Sequence, residues 1–502
     1  MQQHSFDLVV IGGGVNGTGI AMDAAGRGLR VLLCEMHDLA SATSSSSSKL
    51  IHGGLRYLEH YEFGLVRKAL AEREALLRNS PHIMWPMRFR LPHQPHLRPG
   101  WMIRTGLFLY DHLAKRELLP GSRSITFGSD SPLKPEITKG FEYSDGWVDD
   151  ARLVVLMARK AQQMGAVIRP RTRCTQATRD NKTWTITLQD SLSESVTKVS
   201  ASILVNAAGP WASALFAGTI AAPAPKQIRL VKGSHLVVPR LNNGDEAYIL
   251  QNEDERIVFV IPYEERFSLI GTTDVDYEGD PSLARISQEE TDYLLKIVNA
   301  YFRRQTSNED VVWSYSGVRP LIDDEGEENA QKASRDYSYE VDDNQGLAPL
   351  ISIFGGKITT YRKLAEVATD KVCEFFPQAG KPWTGNAVLP GGDFTSKTLL
   401  LAELKIEFPW LPTELTQRYV RTYGTECRNL LAGAVSIEDM GTLFAGNLFQ
   451  KEVDYLIAQE WAWTAEDILW RRTKQGLYAS EAQTLALEAY LSDSDKSSDT
   501  RF

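Results

Sequence analysis

Cysteine, positive charge and long apolar runs are all scarce in this sequence, and each shortage argues against a class of protein. The cysteines are too widely spaced for CxxC pairs, so the sequence predicts neither a disulfide framework nor a metal site. They are Cys34, Cys174, Cys373 and Cys427. With 55 Lys and Arg against 64 Asp and Glu, the net charge is −9, which argues against a nucleic-acid partner.

A targeting signal and a membrane-spanning run are also missing. The first residues, MQQHSFDLVVIGGG, contain no basic stretch followed by an apolar run and a small-residue cleavage site. The longest apolar stretches, such as residues 257–262, are far shorter than the roughly 20 residues that cross a bilayer. We therefore expect a cytoplasmic protein in a reducing compartment, with membrane contact only at its surface.

The spacing of apolar residues predicts an α/β protein. Residues 6–11, 15–26 and 29–34 have the composition of strand, helix and strand, as at the start of a βαβ unit. Between residues 226 and 273, short apolar runs separated by polar turns predict an antiparallel sheet.

Helical patterns dominate after Pro390. Thr464 and Asp467 have the spacing of a capped helix start within this part. Ser287 and Glu290 have capping-box spacing in front of an earlier predicted helix. The sequence therefore predicts a helical C-terminal domain.

A glycine-rich turn directly follows the first predicted strand. GGGVNG places Gly12, Gly14 and Gly17 at GxGxxG spacing before the first helix, and Glu35 ends the second strand. The glycines allow backbone N–H groups to approach a pyrophosphate, and an acid at this position accepts hydrogen bonds from a ribose. The pattern predicts a dinucleotide site but does not distinguish FAD from NAD.

Two further segments favour a flavin. Residues 42–59, ATSSSSSKLIHGGLRYLE, offer hydroxyl groups and paired glycines for close contact with phosphate and ring edges. A flexible serine linker is the alternative, which the apolar and aromatic residues after the serines disfavour. Gly355, Gly356 and Lys357 precede a predicted helix, whose N–H groups would stabilise a reduced, anionic ring, although such glycines also form ordinary turns.

With these motifs the sequence resembles the FAD-dependent, quinone-linked aerobic glycerol-3-phosphate dehydrogenases. The resemblance runs from Asp7 to about Lys474 through DLVVIGGGVNGTGIA, SSKLIHGGLRYLEHYEFGLV, GFEYSDGWVDDARLV, NAAGPWA, KGSHLVVP, YILQNEDERIVFVIPY, IGTTDVDYEGDP, YSGVRPL, FGGKITTYRKLAE and DILWRRTKQG. It implies an α/β fold with a Rossmann-like FAD-binding domain of the D-amino-acid-oxidase type, an antiparallel-sheet substrate domain and a helical C-terminal cap. It also suggests a homodimer formed through the cap.

We divide the chain on this basis. The segments are an FAD-binding domain (residues 1–80, 141–215 and 346–389), a basic loop and helix segment (81–140), a substrate sheet domain (216–345), the cap (390–490) and a disordered tail (491–502). The tail is expected because SDSDKSSDTRF is too polar to bury.

The expected site residues come from remote parts of the chain. Around FAD we expect Gly12, Gly14, Asn16, Gly17, Glu35, Thr43, Ser44, Ser48, Lys49, His52, Gly53, Gly209, Gly355, Gly356, Lys357 and Ile358. Guanidinium and ammonium groups suit a substrate phosphate. The substrate candidates are Arg56, Tyr57, Arg319, Arg335, Lys357 and Tyr361. A single arginine is more often a surface charge, and Arg319 is favoured because the resemblance directs YSGVRPL at the ligand.

Oxidation of an alcohol also requires a base. His235 in KGSHLVV is one candidate because the ordinary pKa of histidine is near neutral, and Lys357 in a desolvated site is the other. The alternative is that His235 has only a structural role on the sheet. The expected catalytic group is thus His235, Arg319 and Lys357.

The resemblance implies oxidation of sn-glycerol 3-phosphate to dihydroxyacetone phosphate at FAD, followed by electron transfer to membrane quinone. One alternative is a glycerophosphate oxidase that passes electrons to oxygen. Another is a flavin-binding sensor without turnover, which the set of phosphate-binding cations disfavours.

A basic and aromatic segment, residues 82–116, predicts peripheral attachment to the inner face of the cytoplasmic membrane. Its charged residues are Arg88, Arg90, Arg98, Arg104, Lys115 and Arg116 against the single acid Asp111. The apolar residues between them are Trp85, Phe89, Trp101, Met102, Ile103, Leu107, Phe108 and Leu109. Such residues enter the headgroup boundary while cations meet lipid phosphates, and the alternative is a buried cover over the flavin.

Overall fold

The computed structural model describes residues 5–94, 97–220, 222–252, 254, 256–322, 337–343 and 346–495. Its strands are β1 (Ser5–Ile11), β2 (Val31–Cys34), β3 (Leu50–Ile51), β4 (Met84–Pro92), β5 (Arg123–Thr126), β6 (Lys139–Val148), β7 (Val167–Arg169), β8 (Thr172–Arg179), β9 (Trp184–Asp190), β10 (Val196–Asn206), β11 (Ile228–Pro239), β12 (Ala247–Gln251), β13 (Ile257–Tyr263), β14 (Phe267–Gly271), β15 (Val275–Asp276), β16 (Trp313–Ile322), β17 (Tyr337–Asp342), β18 (Leu350–Gly355), β19 (Leu443–Ala445) and β20 (Leu448–Phe449).

The helices are α1 (Val15–Gly26), α2 (Phe63–Asn79), α3 (Gly100–His112), α4 (Asp150–Gln163), α5 (Gln288–Tyr301), α6 (Tyr361–Cys373), α7 (Lys397–Glu407), α8 (Thr413–Tyr423), α9 (Cys427–Leu430), α10 (Gln450–Glu460) and α11 (Glu481–Asp495). Short 3₁₀ and π-helical turns connect several of these elements.

The first sheet has a parallel centre. Its order is β17, β18, β10, β1, β2 and β7, with β1 between its parallel neighbours β10 and β2. The central residues of β1 and β2 are buried and almost all aliphatic, as expected for parallel strands that helices cover on both faces. α1 connects β1 to β2, which confirms the predicted βαβ opening.

A second sheet, called the roof sheet below, carries the predicted antiparallel strands. Its order is β15, β11, β14, β13, β12, β4, β6 and β3, while β16 pairs with β11 and β5 with β6. All its pairs are antiparallel except β12 with β4. The antiparallel sheet predicted for residues 226–273 is therefore confirmed and is part of a larger sheet.

The expected segment boundaries need correction at three strands. Residues 81–140 were expected to be loop and helix, but β4 is an internal strand of the roof sheet, and its buried Met87, Phe89 and Leu91 alternate with Arg88 and Arg90. β6 was assigned to the FAD-binding domain and β17 to the substrate domain. β6 belongs to the roof sheet and β17 to the first sheet.

The C-terminal helices α7 to α11 pack around their own apolar core, as predicted for the cap. Thr464 and Asp467 exchange capping hydrogen bonds, and the residues that follow, Asp467–Arg472, form a π-helical turn. The disordered tail was expected to begin at residue 491, but α11 continues to Asp495. Residues 496–502 lie outside the described part of the chain.

Candidate functional site

A cavity of about 1420 Å³ is lined by residues of both sheets and of the cap. Many of the residues expected around the cofactor line this cavity. They are Gly12, Gly14, Asn16, Glu35, Thr43, Ser44, Lys49, Gly209, Gly355 and Gly356. The volume exceeds the range of pockets for ordinary small ligands, about 300–1,000 Å³, so it has room for an extended dinucleotide together with a small substrate.

The glycine turn has the geometry that a pyrophosphate requires. Gly12 has a φ of 115°, and a Cβ atom there would lie 2.4 Å from the carbonyl oxygen of Ala207. A Cβ atom on Gly17 would lie 1.9 Å from the carbonyl oxygen of Gly12. Only glycine fits at both positions, and the turn leaves the N-terminus of α1 facing the cavity, where its N–H groups favour an anion.

Glu35 stands beside this turn. Its two carboxylate oxygens accept hydrogen bonds from the backbone N–H groups of Gly13 at 2.7 Å and His37 at 2.8 Å. Burial raises the pKa of Glu35, and these backbone hydrogen bonds act in the opposite direction. The side chain is thus held at the cavity wall with lone pairs left for a ribose.

Asn16 joins the glycine turn to the second pair of glycines. Its Nδ2 donates to the carbonyl oxygen of Gly355 at 3.2 Å, and a Cβ atom on Gly356 would lie 3.2 Å from the same nitrogen. The Oδ1 atom of Asn16 is buried without a hydrogen-bond partner among the described residues. Orphaned polar atoms are uncommon in protein interiors, so this cradle fits a bound polar ligand such as the expected dinucleotide.

The serine loop, residues 43–49, lies between the glycine turn and the roof sheet. Ser44 Oγ accepts from the N–H of Val15 at 2.9 Å, which places it at the N-terminus of α1. The hydroxyl of Thr43 donates to the carbonyl oxygen of Val318 at 2.6 Å, and the hydroxyl of Tyr315 donates to the carbonyl oxygen of Ser47 at 2.7 Å. These contacts make the loop an ordered wall of the cavity, not a flexible linker.

Lys49 lines the cavity, but its charge is already compensated. The ammonium group lies 2.7 Å from Asp150 and donates to the carbonyl oxygen of Ser45 at 3.1 Å, and the pair is buried. Lys49 therefore stabilises the serine loop in its folded shape. Ser48 Oγ lies 2.9 Å from His235, so this hydroxyl also contacts protein.

Three predicted cofactor residues have other roles in the fold. At Gly53 a Cβ atom would lie 2.5 Å from Leu70 and 2.7 Å from the hydroxyl of Tyr110, so packing against α2 and α3 requires glycine there. The N–H of His52 donates to the hydroxyl of Thr359 at 3.3 Å, which links the segment around Gly53 to the segment that follows Gly356. The side chain of Ile358 packs on the core of the first sheet.

On the substrate side, Arg319 and Lys357 have distinct surroundings. Arg319 Nη1 lies 2.5 Å from Asp274, and Nη2 donates to the hydroxyl of Thr272 at 3.4 Å. Lys357 Nζ lies 4.0 Å from the ring centroid of Tyr57. Arg319 thus lies on β16 of the roof sheet, whereas Lys357 follows β18 of the first sheet.

The remaining substrate candidates divide into two groups. The side chain of Arg56 and all of Arg335 lie outside what the structure describes. Tyr361 is a correction, because its buried ring packs against Gly19 of α1 and belongs to the core of the first sheet.

His235 is buried in the roof sheet. Its ring stacks on Tyr315 with a centroid separation of 4.8 Å, and its Nδ1 has no hydrogen-bond partner among the described residues. Burial, reinforced by the nearby charges of Arg319 and Lys49, holds the pKa of His235 well below its usual value. The imidazole is therefore neutral at physiological pH.

Sequence reasoning missed the aromatic wall of the cavity. Trp313 of β16 stacks on Trp470 of the cap with ring centroids 4.4 Å apart, and Tyr263 and Tyr315 also line the cavity. Asp149 and Asp150 at the start of α4 were missed as well. Their partners are more than 100 residues away in the sequence, so local spacing gave no signal for them.

Residues 82–116 divide into a buried and an exposed part. Phe89 and Leu107 are buried, and the half-buried Arg88 and Arg90 both pair with Glu142, so these residues are corrected to ones engaged within the protein. The exposed large apolar residues are Trp101, Met102, Phe108 and Leu109, all on α3. No helix in the described part of the chain has both the length and the hydropathy of a membrane span.

Comparisons with known proteins agree with this geometry. Residues 7–362 match the family model described as FAD dependent oxidoreductase, and residues 383–492 match that of the C-terminal domain of alpha-glycerophosphate oxidase. The two matches together cover both sheets and the cap.

Relatives and a solved structure match over nearly their full length. A glycerol-3-phosphate dehydrogenase from Pseudomonas aeruginosa is 55% identical, over 97% of this chain and 95% of that protein. A D-erythritol 1-phosphate dehydrogenase from Brucella abortus is 49% identical, over 97% of each chain. The crystal structure of a glycerol-3-phosphate dehydrogenase from Bacillus halodurans, complexed with FAD, has a TM-score of 0.77 and 27% identity, over 99% of this chain and 92% of that one.

Proposed function

Because this chain belongs to the family of FAD-dependent oxidoreductases that includes the glycerol-3-phosphate dehydrogenases, we propose that it oxidises sn-glycerol 3-phosphate to dihydroxyacetone phosphate and passes the electrons to membrane quinone. The observation that carries this proposal is the 55% identity with a glycerol-3-phosphate dehydrogenase over 97% of the chain. Identity this high, with no large unmatched part in either protein, supports a shared reaction.

The candidate residues have assigned roles in this proposal. Arg319 and Lys357 each adjoin a residue of the cavity wall in the sequence, Val318 and Gly356. Bound FAD supplies a two-electron acceptor for the carbon that carries the hydroxyl group. Arg319 binds the substrate phosphate through charge-assisted hydrogen bonds, with its guanidinium group oriented by Asp274. Lys357, which follows the cavity-lining Gly355 and Gly356, holds the carbinol oxygen or a phosphate oxygen. The hydroxyl of Ser44 and the N–H groups of α1 that follow Val15 hold the pyrophosphate, since the N–H of Val15 itself donates to Ser44 Oγ.

His235 takes the alcohol proton. Its neutral ring has a free lone pair, and Nδ1 lacks a hydrogen-bond partner among the described residues. The depressed pKa makes it a weaker base than an ordinary histidine, but it keeps the base form at every physiological pH. Lys357 is the alternative base, since among the described residues no carboxylate pairs with its ammonium group.

The proposed electron acceptor and the proposed attachment to the membrane depend on each other. A quinone resides in the membrane, and α3 offers exposed Trp101 and Phe108 beside the cations Arg98 and Arg104. Peripheral attachment through α3 to the inner face of the cytoplasmic membrane would bring the cavity to the quinone pool.

A second substrate is favoured by one relative, since the protein that is 49% identical is named for D-erythritol 1-phosphate. Both substrates are phosphorylated polyols and would use the same cation set. The ratio of kcat/KM for the two compounds distinguishes them, and we expect glycerol 3-phosphate to be preferred. A higher value for D-erythritol 1-phosphate would reassign the substrate.

The reaction itself is tested with the purified holoenzyme. Anaerobic addition of glycerol 3-phosphate should bleach the visible absorption of the flavin, and a ubiquinone analogue should restore it much faster than oxygen does. Restoration by oxygen at the same rate would indicate an oxidase. Absence of bleaching with either phosphorylated polyol would indicate a flavin-binding protein without turnover.

A further inference from the structure

The cap reaches directly into the segment that binds FAD. Asp38 lies three residues beyond Glu35, and its carboxylate accepts hydrogen bonds from Arg472 at 2.8 Å on both oxygens and from Arg471 at 2.6 Å. Arg472 is 0% exposed and Asp38 is 1% exposed. Two arginines of the cap therefore hold the start of the loop that leads from Glu35 to the serine loop.

The same cap segment also holds the end of that loop. Lys474 Nζ lies 2.5 Å from both oxygens of Asp149 in a buried ion pair. The next residue, Asp150, pairs with Lys49 and accepts from the hydroxyl of Ser47, in each case at 2.7 Å. Lys474 thus fixes the first turn of α4, which in turn fixes the serine loop.

A third contact lies near Glu35 at the same edge of the cavity. Asp467 of the cap pairs with Arg171 at 2.7 Å, and the N–H of Arg171 donates to the carbonyl oxygen of His37 at 2.8 Å. Arg171, Asp467, Arg471 and Lys474 all line the cavity. The cap contacts are therefore part of the cavity wall.

We propose that Asp467, Arg471, Arg472 and Lys474, called the cap clamp, are positioning residues that hold the loop from Glu35 to Lys49 in its FAD-binding shape. The cap is then a required part of the cofactor site as well as a packed domain. This inference concerns the cofactor, which family membership establishes, so it does not depend on the proposed substrate or acceptor.

Burial makes the clamp sensitive to single substitutions. Removing one partner of a buried ion pair leaves the other charge without compensation in a medium of low polarity. Loss of the Arg472 side chain would remove two of the three arginine hydrogen bonds to the buried carboxylate of Asp38 and leave only that of Arg471, so the loop would reach the FAD-binding shape less often. A smaller binding-competent fraction weakens the apparent affinity by the same factor.

The matched control is Arg418, whose guanidinium group pairs with Glu452 at 2.5–2.6 Å wholly within the cap. Apoprotein of Arg472→Met and Arg418→Met is titrated with FAD by flavin fluorescence, and the melting temperature of each apoprotein is recorded. Both variants should melt earlier. The Kd for FAD should rise at least about tenfold in Arg472→Met and stay within about twofold in Arg418→Met.

Equal changes of Kd in the two variants would overturn the clamp, because loss of stability alone would then account for both. Should Arg472→Met fail to fold, Asp38→Asn makes the same test with a smaller expected rise, and wild-type affinity in that variant would also overturn it.

Hydrogen exchange tests the reverse coupling in the unmodified protein. If the clamp supports FAD, bound FAD must stabilise the clamp by the same free energy. Amides of residues 464–474 should exchange more slowly when FAD is added to apoprotein, while α8 of the cap should not change. The proposal is contradicted if FAD slows exchange throughout the cap, or if it does not slow exchange at residues 464–474.

Discussion

The Nε2 atom of His235 lies 2.9 Å from the hydroxyl oxygen of Ser48, and this contact joins the roof sheet to the serine loop. The histidine side chain is buried against Tyr315 and neutral, because its pKa is held well below the usual value. A neutral imidazole at this point carries no charge that would compete for the phosphate of the substrate, which is compatible with the proposed role of His235 as the base.

The neutral state of His235 leads to one expectation for the turnover of His235→Asn and another for the pH dependence of the wild type. A general base typically accelerates the reaction by about 10²–10⁴-fold, so kcat should fall by at least about a hundredfold in His235→Asn. In the wild type, kcat/KM should stay flat as pH falls through about 6.5, because the native pKa lies lower. The measurement is steady-state turnover with a soluble dye acceptor. An acidic limb at the ordinary histidine pKa, lost in the variant, would contradict the burial argument.

Arg319 should favour glycerol 3-phosphate over glycerol as the substrate, because it binds the phosphate group. A hydrogen bond to a charged group contributes about 1.5–3 kcal/mol, so Arg319→Ala should lower kcat/KM for glycerol 3-phosphate by about tenfold or more. The same substitution should leave the much slower oxidation of glycerol nearly unchanged. Arg229→Ala is the matched control, since Arg229 pairs with Asp276 on a neighbouring strand of the same sheet. An equal loss on both substrates would remove the phosphate role.

Glu35 should contribute to the affinity for FAD. Glu35→Gln keeps the size of the side chain and removes the charge that Gly13 and His37 stabilise. With an expected loss of about 1.5–3 kcal/mol, the Kd for FAD should rise by about tenfold or more, measured by fluorescence titration of apoprotein. Unchanged affinity would show that the carboxylate only shapes the turn.

His82 should make the protein sensitive to acid. It is fully buried between the first part of the chain and the cap, and burial, reinforced by Arg152 and Lys397, lowers its pKa well below 6.5. The unfolded chain binds the proton at about 6.5, so the stability that a neutral His82 contributes is complete above that pH and declines as the pH falls below it. The decline is at most about 1.4 kcal/mol per pH unit for one group.

The free energy of unfolding in urea, measured between about pH 7.5 and about pH 5, checks this prediction. His82→Gln should show a shallower acid slope than the wild type even if it is less stable throughout. His112→Gln is the control, because His112 is exposed on α3. An unchanged slope in His82→Gln would assign the acid sensitivity elsewhere, for example to the buried His235.

Local patterns predicted the glycine turn, the capping of α5 and the helical cap because each of these depends on residues close together in the sequence. Ser287 and Glu290, for example, form both bonds of the capping box, at 3.2 Å and 2.8 Å. The family resemblance added the cofactor and the two-sheet fold. Neither indicated the cap clamp, because its partners are far apart in the sequence. Asp38 and Arg472, for example, are 434 positions apart.

The errors have a common physical cause. Tyr361 was assigned to the substrate from its neighbours in sequence, whereas the structure packs its buried ring against another helix, α1. β4 was missed because its arginines masked an alternating strand pattern. Their charge is balanced by Glu142 on the neighbouring strand β6, a contact that depends on strand pairing.

Attachment to a membrane should depend on the exposed face of α3. Trp101 is 72% exposed and Phe108 54% exposed, and both lie on this amphipathic helix near Arg98 and Arg104. Trp101→Ser with Phe108→Ser should abolish binding to anionic vesicles at any salt concentration, because the apolar insertion is lost. Arg98→Glu with Arg104→Glu should abolish it mainly at low salt, since each basic residue contributes about 1 kcal/mol near an anionic surface.

Vesicle co-sedimentation measures the binding, and turnover with a soluble dye shows that each variant is still folded. Ile406→Ser is the matched control, because Ile406 is 81% exposed on α7 of the cap, far from α3 in the sequence. We expect the control and the wild type to sediment with anionic vesicles, and the wild type to be released by high salt only in part, because its aromatic side chains remain inserted. If both α3 variants sediment like the wild type while Ile406→Ser does not, the membrane surface lies on the cap, and α3 has no part in bringing the enzyme to quinone.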